Sequence, residues 1–361
     1  MLEMFRKRGF RPYSGVWELT LRCNMNCLHC GSRAGRARGD ELTIDELLRL
    51  ADDLAELGGR YITLSGGEPL LRREWPVLAR RLVQNGVTTN MISNGFIFHE
   101  QQLAMAREVG LRNMAFSVDG DEEIHDHIRN KPGSFKRVME AIDLCVGVDY
   151  PPSVVTHITN ANMHKLEDMA RMLIDRGVRR WQVQTGFEAG NLSDHPELIL
   201  EAATLETVVP EVVRLMQAYR SRLHIEAADD MGYFTEEDEV LRGRGEASQY
   251  WLGCQAGINV IGIEANGNIK GCLSMQSPDF VEGNVRTESL REIWFKEGNF
   301  AYTRNFKVDN LGGFCRDCAF NEFCRGGCSW NAYLHGKGTG KFANRYCLYQ
   351  VRELAKRDSK T

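Results

Sequence analysis

Features that mark several common protein classes are missing from this chain of 361 residues. No apolar run approaches the roughly 18–20 residues of a membrane span, and the basic N-terminal segment lacks the apolar region of a secretory signal. The 45 basic and 49 acidic side chains nearly balance and form no basic block, which argues against a dedicated nucleic-acid binder. These absences predict a cytoplasmic globular protein with one large domain or two medium-sized ones.

Cysteine, by contrast, is abundant. Eleven cysteines follow no export signal, and a reducing cytoplasm disfavours disulfides, so metal or catalytic roles are favoured. Ten of them form two groups: Cys23, Cys27 and Cys30, and then Cys254, Cys272, Cys315, Cys318, Cys324, Cys328 and Cys347. Cys145 lies alone on the apolar face of a predicted helix, where packing accounts for it. The distribution predicts two metal-bearing regions.

Short β-rich runs alternate with amphipathic helices along the first two-thirds of the chain. Strands are predicted at 16–22, 60–65, 87–93, 112–118, 153–158 and 179–185. Helices are predicted at 43–57, 73–84, 100–109, 134–147, 163–176 and 201–222. Thr43 and Glu46 form a capping-box pattern at the start of the first helix. Six βα repeats predict a parallel α/β sheet, either a partial barrel or a doubly wound open sheet.

The character of the sequence changes after about residue 225. Glycine and short strands dominate there, and Asn266-Gly267 predicts a hairpin. We therefore predict an N-terminal segment over 1–14, an α/β domain over 15–225, and a smaller α+β domain over 226–361 with a C-terminal helix. Between the last two, no linker marks the boundary near 220–235.

The first three cysteines, spaced C-x3-C-x2-C, directly follow the first predicted strand. Loops at the carboxyl ends of parallel strands are where α/β folds place their chemistry. Three cysteines so close together can bind three corners of a cubane iron–sulfur cluster and leave the fourth iron open. A structural zinc site would need a fourth ligand. His29 would have to turn inward between two of the cysteines to supply it.

This spacing resembles the signature of the radical S-adenosylmethionine (SAM) superfamily, although His29 stands where the family usually has an aromatic residue. Further motifs at the ends of the second, third and fourth strands resemble the family's GGEP-type, SNG and S-x-D-G elements, while each also suits an ordinary turn. By resemblance, the SAM pocket is lined by Gly66, Gly67, Glu68, Pro69, Ser93, Asn94, Ser117, Asp119 and Asn162. The glycines would let backbone groups approach the ammonium of SAM.

The resemblance implies a partial (β/α)6 barrel of the TIM type that holds a SAM-binding [4Fe–4S] cluster. The reduced cluster would cleave SAM to methionine and a 5′-deoxyadenosyl radical, which abstracts a hydrogen atom from a substrate. Flavodoxin or ferredoxin is the expected reductant. No catalytic side chain is assigned.

The second cysteine group resembles the seven-cysteine SPASM extension of a subset of these enzymes. By resemblance, it holds two auxiliary [4Fe–4S] clusters, one on Cys315, Cys318, Cys324 and Cys347 and the other on Cys254, Cys272 and Cys328. The second cluster lacks a fourth cysteine, so solvent, another side chain or the substrate would bind its open iron. A pair of zinc sites is the alternative for such cysteine spacings.

SPASM proteins most often modify peptides, so a peptide substrate is expected. Cys272 is not followed closely by an acidic residue, since Asp279 is too distant, which argues against a sulfatase maturase. Fewer than twenty residues precede the first strand, so we expect the barrel mouth or a separate protein to bind the leader peptide. His125, His127 and Arg129 are candidates for substrate contacts or for a solvated loop.

Two other functions remain open. One is haem or haem d1 biosynthesis on a tetrapyrrole, because those relatives share the core and the cysteine-rich C-terminal region. The other is a non-catalytic iron–sulfur electron carrier, against which the intact GGEP-type and S-x-D-G elements argue.

Overall fold

A computed structural model of the chain describes residues 2–228, 231–243 and 251–359. Within these ranges ten strands form one sheet. They are β1 (Ser14–Glu18), β2 (Tyr61–Ser65), β3 (Thr88–Ser93), β4 (Asn113–Ser117), β5 (Ser153–Ile158), β6 (Arg180–Thr185), β7 (His224–Ala227), β8 (Val260–Ile263), β9 (Asn268–Lys270) and β10 (Gly283–Asn284). Their order across the sheet is β10-β9-β8-β1-β2-β3-β4-β5-β6-β7.

The helices of the described residues are mostly short in the C-terminal third. They are α1 (Leu2–Arg8), α2 (Ile44–Glu56), α3 (Trp75–Gln84), α4 (Glu100–Glu108), α5 (Glu122–Arg129), α6 (Ser134–Val146), α7 (Leu166–Asp175), α8 (Leu205–Tyr219), α9 (Asp238–Leu241), α10 (Leu290–Phe295), α11 (Ala301–Arg304), α12 (Gly313–Asp317), α13 (Asn321–Cys324), α14 (Ser329–Gly336) and α15 (Leu348–Asp358). Of these helices, none combines the length and the apolar character that crossing a membrane requires.

Strands β1 to β7 are all parallel and stand in chain order across the sheet. A doubly wound sheet reverses its strand order at a switch point, and β1 to β7 contain no such reversal. The sequential order is that of a TIM-type barrel, in which each helix returns the chain to the neighbouring strand. The predicted partial barrel is confirmed. It has a seventh parallel strand, β7, whose four residues are too few for a clear periodic signal.

Strand β1 departs most from its predicted range, because its sheet pairing ends at Glu18 instead of at 22. The carbonyl oxygens of Thr20 and Arg22 accept hydrogen bonds from the loop after β2. These residues therefore pair with a loop, and the chain leaves the sheet early to form the loop that carries the first cysteines.

The predicted helices lie within four residues of the observed ones at each end. Thr43 and Glu46 form the expected capping box on α2. Helix α5 was not among the predictions, although Asp121 gives it an N-cap by accepting a hydrogen bond from Ile124 N at 3.1 Å. Its appearance matters because α5 carries His125 and Arg129 to the functional site.

Strands β8 and β9 form the antiparallel hairpin predicted around Asn266-Gly267. Strand β8 also pairs in parallel with β1, so one sheet runs from the barrel into the C-terminal region. The apolar core crosses the same junction, since Trp17 and Ile261 belong to one buried cluster. The division at 225/226 stays a prediction, and residues 229–230, inside the predicted boundary region, lie outside the described residues.

Candidate functional site

The three N-terminal cysteines lie together in the loop that follows β1. Cys27 is buried, and Cys23 and Cys30 are partly exposed. Burial raises the pKa of Cys23 to about 12, and negative charge on Glu68, Cys27 and Cys30 adds to the rise. Such thiols become thiolates only beside a cation, which the irons of a cluster supply. The donor set therefore fits a [4Fe–4S] cluster.

The glycine pair after β2 packs directly against this cysteine loop. Gly67 N donates a hydrogen bond to Thr20 O at 2.8 Å, and a Cβ atom on Gly66 would lie 2.3 Å from the same oxygen. A Cβ atom on Gly67 would lie 2.3 Å from the carbonyl oxygen of Arg22. Only glycine lets these backbones come so close. Packing thus accounts for both glycines, and their contact with the SAM ammonium stays a prediction.

Glu68 connects the loops after β2 and β3. Its buried carboxylate accepts hydrogen bonds from Ser93 Oγ at 2.9 Å and from Asn94 N at 2.8 Å. Burial raises the pKa of Glu68 to about 7, against the effect of these donors. Asn94 Nδ2 in turn donates to Asn24 Oδ1, next to Cys23, at 2.7 Å. Three of the predicted pocket residues therefore meet at the cysteine loop.

Asp119 lies just beyond β4 with no exposed surface. Arg129 Nη2 lies 2.6 Å from its carboxylate, and His29 Nε2 lies 3.5 Å from it. Burial alone would raise the pKa of Asp119, but the Arg129 guanidinium and the nearby histidines outweigh burial and hold the pKa well below its usual range. Arg129 Nη1 also contacts Cys27 Sγ at 3.9 Å. A buried ion pair therefore touches the cysteine loop.

The other predicted pocket residues have mainly structural contacts. Asn162 Nδ2 donates to the carbonyl oxygens of Asp119 and His157 at 2.9 and 2.7 Å, and Asn162 Oδ1 accepts a backbone N–H at 2.8 Å. The bond to Asp119 joins the loops after β4 and β5, and the other two bonds fix the turn after β5. Ser117 is partly buried at the end of β4, and Pro69 is buried at the start of a short turn. Contact of these residues with SAM stays a prediction.

Three imidazoles lie next to the ion pair. The rings of His29 and His157 meet edge to face at 5.0 Å, and His125 Nδ1 accepts a hydrogen bond from Asp119 N at 3.1 Å. Burial lowers the pKa of His125 and His157 to about 4 and that of His29 well below its usual range, so all three are neutral at pH 7. One nitrogen of each ring is buried with no hydrogen-bond partner among the described residues. Such atoms favour a polar ligand beside them.

The sequence pattern alone identifies only part of this group. It left His125, His127 and Arg129 as either substrate contacts or a solvated loop, and the structure buries His125 and Arg129 while His127 is exposed. His157 is missing from the sequence-based prediction. It stands opposite Gln184 in the register of β5 and β6. The signal available in the sequence was this pair of polar residues on two adjacent and otherwise apolar strands.

The four cysteines predicted to share one auxiliary cluster meet at a single cavity. Cys315, Cys318, Cys324 and Cys347 line it together with Tyr233 and Asn344. Burial raises the pKa of Cys347 to about 12, and negative charge on neighbouring thiols adds to the effect. As in the loop after β1, thiols with raised pKa values become thiolates only beside a cation, which favours an iron–sulfur cluster at this cavity.

The three remaining cysteines lie elsewhere. Cys254, Cys272 and Cys328 pack on one apolar cluster that contains Phe280 and Trp330. In the part of the chain that the structure describes, no three His, Cys, Asp or Glu side chains converge to hold a single metal ion. This does not argue against a cluster, because in a cubane each cysteine binds a different iron and the thiolates do not converge on one point.

Family comparisons agree with this arrangement. A model described as the radical SAM superfamily matches residues 17–173, and one described as the SPASM iron–sulfur cluster-binding domain matches residues 254–319. The chain is a radical SAM enzyme with a SPASM domain. Its cofactors are therefore SAM, a SAM-binding [4Fe–4S] cluster and auxiliary iron–sulfur clusters. The assignment of individual ligands to each cluster stays a prediction.

Relatives of this radical SAM enzyme span nearly its whole length. The AdoMet-dependent heme synthase of Methanosarcina barkeri is 27% identical and covers 93% of this chain and 96% of its own. The PqqA peptide cyclase of Bradyrhizobium diazoefficiens is 25% identical, with 92% and 84% covered. Streptococcus suis SuiB bound to S-adenosylmethionine superimposes with a TM-score of 0.75 at 16% identity, with 96% and 80% covered. SuiB has also been solved bound to its precursor peptide SuiA.

Proposed function

We propose that this radical SAM enzyme modifies a peptide by crosslinking, epimerising or oxidising one of its residues. The observation that carries the proposal is the set of uncharged polar groups inside the barrel, near the cysteine loop. Gln182 and Gln184 alternate with the buried core residues of β6, and Gln184 bonds to His157. Neutral amides and imidazoles hydrogen-bond to peptide groups without requiring a charged partner.

Two arginines near the cysteine loop already have partners. Arg129 is paired with Asp119, and Arg33 Nη2 lies 2.9 Å from Asp194 Oδ1. A tetrapyrrole carries propionates, whose recognition favours unpaired arginine or lysine side chains. The distribution of charge therefore favours a peptide over a tetrapyrrole. The names of the PqqA peptide cyclase and of the SuiB complex with SuiA support the same substrate class.

The chain's own residues would prepare the site for this reaction. When bound, the cluster and SAM supply a 5′-deoxyadenosyl radical that removes a hydrogen atom from the substrate. Asn191 ties the segment 190–194 to the cysteine loop, because its Nδ2 donates to Cys27 O at 2.9 Å and its N donates to Cys30 O at 2.8 Å. Held in this way, the segment 190–194 would restrict the access of water to the reacting centre. We further propose that flavodoxin or ferredoxin is the reductant and that a separate protein presents the peptide.

The test is anaerobic incubation of the reconstituted enzyme with SAM, dithionite and short candidate precursor peptides. We expect a mass change in the peptide, with 5′-deoxyadenosine formed alongside, and neither in a Cys27→Ala variant. If SAM is cleaved but the peptide shows neither a mass change nor deuterium exchange at any Cα, the peptide assignment is wrong.

One observation favours a second function. The AdoMet-dependent heme synthases of three organisms match this chain over 93% or more of its length. An absorbance titration with an iron porphyrin that carries four propionates separates the two functions. Tight binding followed by SAM-dependent loss of mass from the porphyrin would replace the peptide proposal, whereas the paired arginines lead us to expect weak binding and no turnover.

A further inference from the structure

The cysteine site formed by Cys254, Cys272 and Cys328 is one ligand short of a closed cubane. A [4Fe–4S] cluster normally takes four protein ligands, one to each iron. The open iron needs an oxygen, nitrogen or sulfur atom, and that atom must lie where these three cysteines meet. The search for it is therefore a search for a buried polar atom without a partner.

Tyr302, on the short helix α11, has such an atom. Its Oη is fully enclosed beside the Gly271 backbone, and its O–H has no acceptor at hydrogen-bond distance and angle among the described residues. The Tyr302 side chain packs on the same apolar cluster as the three cysteines, with its ring edge to face with Phe280 at 5.1 Å. A buried hydroxyl left in this state costs free energy unless something else binds it.

The oxygen lies against the segments that carry two of the cysteines. A Cβ atom on Gly271, the residue before Cys272, would lie only 2.2 Å from Tyr302 Oη. The Gly271 backbone in turn approaches Ala256 and Gly257, just after Cys254. Burial raises the pKa of the Tyr302 phenol well above its usual value, and negative charge on Cys254 and Cys272 adds to the rise. Tyr302 Oη therefore faces the cysteine site from within the fold.

Two neighbouring amides share this property, since Gln255 Oε1 and both polar atoms of the Asn331 side chain are also buried without a partner. A neutral amide oxygen is, however, a weaker ligand for iron than an anionic phenolate. Other polar side chains here are less suitable. Tyr333 packs on the same cluster, but its Oη donates to Asp279 Oδ2 at 2.6 Å. The indole of Trp330 has only an N–H donor and no lone pair to offer. Glu282 also lies near Tyr302, and its carboxylate accepts a hydrogen bond from the Phe300 backbone.

We propose that Tyr302 binds the fourth iron of this auxiliary cluster through its phenolate oxygen. The O–H bond breaks, the proton leaves to solvent, and the oxygen replaces a solvent-derived ligand on iron, with no change of oxidation state. Both deficiencies, the missing ligand and the unpartnered hydroxyl, are then resolved by one bond. The substrate does not bind this iron, so the cluster transfers electrons instead of holding the substrate.

Resonance Raman spectroscopy of the full-length, cluster-reconstituted enzyme tests this without any substrate. Protein labelled with ring-deuterated tyrosine should show phenolate vibrations, enhanced through an iron–phenolate charge-transfer band, that shift with the label. Tyr302→Phe should lose these vibrations, while Tyr333→Phe and Glu282→Gln should keep them. Iron content should be equal in all four proteins, which establishes that the variants fold and hold their clusters.

A second measurement asks whether the iron becomes open. With SAM occupying the first cluster, we expect cyanide to leave the electron paramagnetic resonance signals of the reduced wild-type enzyme unchanged and to alter them in Tyr302→Phe. Absence of phenolate vibrations from the wild-type enzyme, or persistence of them in Tyr302→Phe, would overturn the assignment. Neither result bears on whether a peptide is modified, so the two proposals fail independently.

Discussion

Asp119 and Arg129 illustrate how single residues shape this site. Each is almost fully buried, and their charges lie 2.6 Å apart. A charge removed from water is tolerated only beside an opposite charge or with several hydrogen bonds. Arg129 also contacts Cys27 Sγ, so the guanidinium holds both the Asp119 carboxylate and the cysteine loop in place. The pair thereby connects the end of β4 to the cysteine loop.

Breaking this pair from one side should be costly. We expect Arg129→Met to destabilise the cluster-free protein by about 3–5 kcal/mol, because Asp119 is left as an uncompensated buried charge. The double variant Arg129→Met/Asp119→Asn should recover a large part of that loss. Chemical unfolding of the wild type, both single variants and the double variant measures the coupling. A double variant no more stable than Arg129→Met would refute this account.

The sequence predicts residues of this site unevenly. The cysteine sets follow from spacing, because ligands of one cluster are close along the chain. His157 and Arg129 acquire their roles from partners 38 and 10 residues away, Asp119 in each case. Such partners are defined only once strands and helices pack. Glu68 shows a related limit, since the motif predicts its position but not its bonds to Ser93 and Asn94.

Helix α2 shows how one element joins distant parts of the chain. Its N-terminus carries the capping box of Thr43 and Glu46. The same Glu46 carboxylate accepts hydrogen bonds from Arg286, just after β10, at 2.7 and 3.0 Å. Glu46 therefore has two roles. The sequence pattern indicates its role in the helix cap but not its long-range contact with Arg286.

Removal of the cap should weaken this helix. Thr43→Ala deletes the acceptor for Glu46 N, and we expect a loss of about 1 kcal/mol in the free energy of unfolding. Thr43→Ser keeps a side-chain oxygen in the same position and should remain close to wild type. Urea unfolding followed by circular dichroism compares the three proteins, and equal losses for Ala and Ser would contradict a capping role.

The tie to Arg286 should depend on pH. Its hydrogen bonds to Glu46 lower the pKa of that carboxyl from 4.5 to about 2. Because the folded-state pKa is depressed, the stabilisation is present above pH 4.5 and is lost as the pH falls towards 2. The unfolding midpoints of wild type and Arg286→Ala, compared in cluster-free protein, should therefore differ more at pH 6 than near pH 2, where only the Arg286 bonds to the carbonyl oxygens of Asp40 and Glu41 remain. A constant difference would exclude Glu46 as the titrating group.

Element prediction fails where elements are short or where the sheet ends early. Helix α5 has eight residues and β7 has four, too few to produce a convincing period. The end of β1 was extended to 22 because its sequence remains suited to a strand, yet the chain there pairs with the loop after β2. Tertiary contacts decided that boundary.

At the scale of the whole molecule, ten of eleven cysteines are divided among three sites, and Cys145 is fully buried in α6. One site is on the loop after β1, one is the four-cysteine cavity, and one is the three-cysteine site beside Tyr302. The positions of the cysteines along the chain predicted two metal-bearing regions. Which cysteines share a cavity required the fold.

Measurement of the iron content tests the assignment of the cysteines to three clusters. Three cubanes give about twelve irons per chain, and Cys23→Ala should reduce that to about eight while abolishing SAM cleavage. Cys145→Ser should retain the full iron content, because that thiol only packs. Loss of iron in Cys145→Ser without loss of folding, or full iron in Cys23→Ala, would contradict the assignment of ligands.

The pairing of β8 with β1 limits how this enzyme could be recombined with its relatives. Four residue pairs join the two strands, so a fragment ending at 225 would leave one side of β1 without its neighbour. An exposed strand edge of that kind recruits other chains. Chimeras intended to exchange substrate preference should therefore carry β1 and β8 from the same parent, with the seams placed in loops away from that pairing.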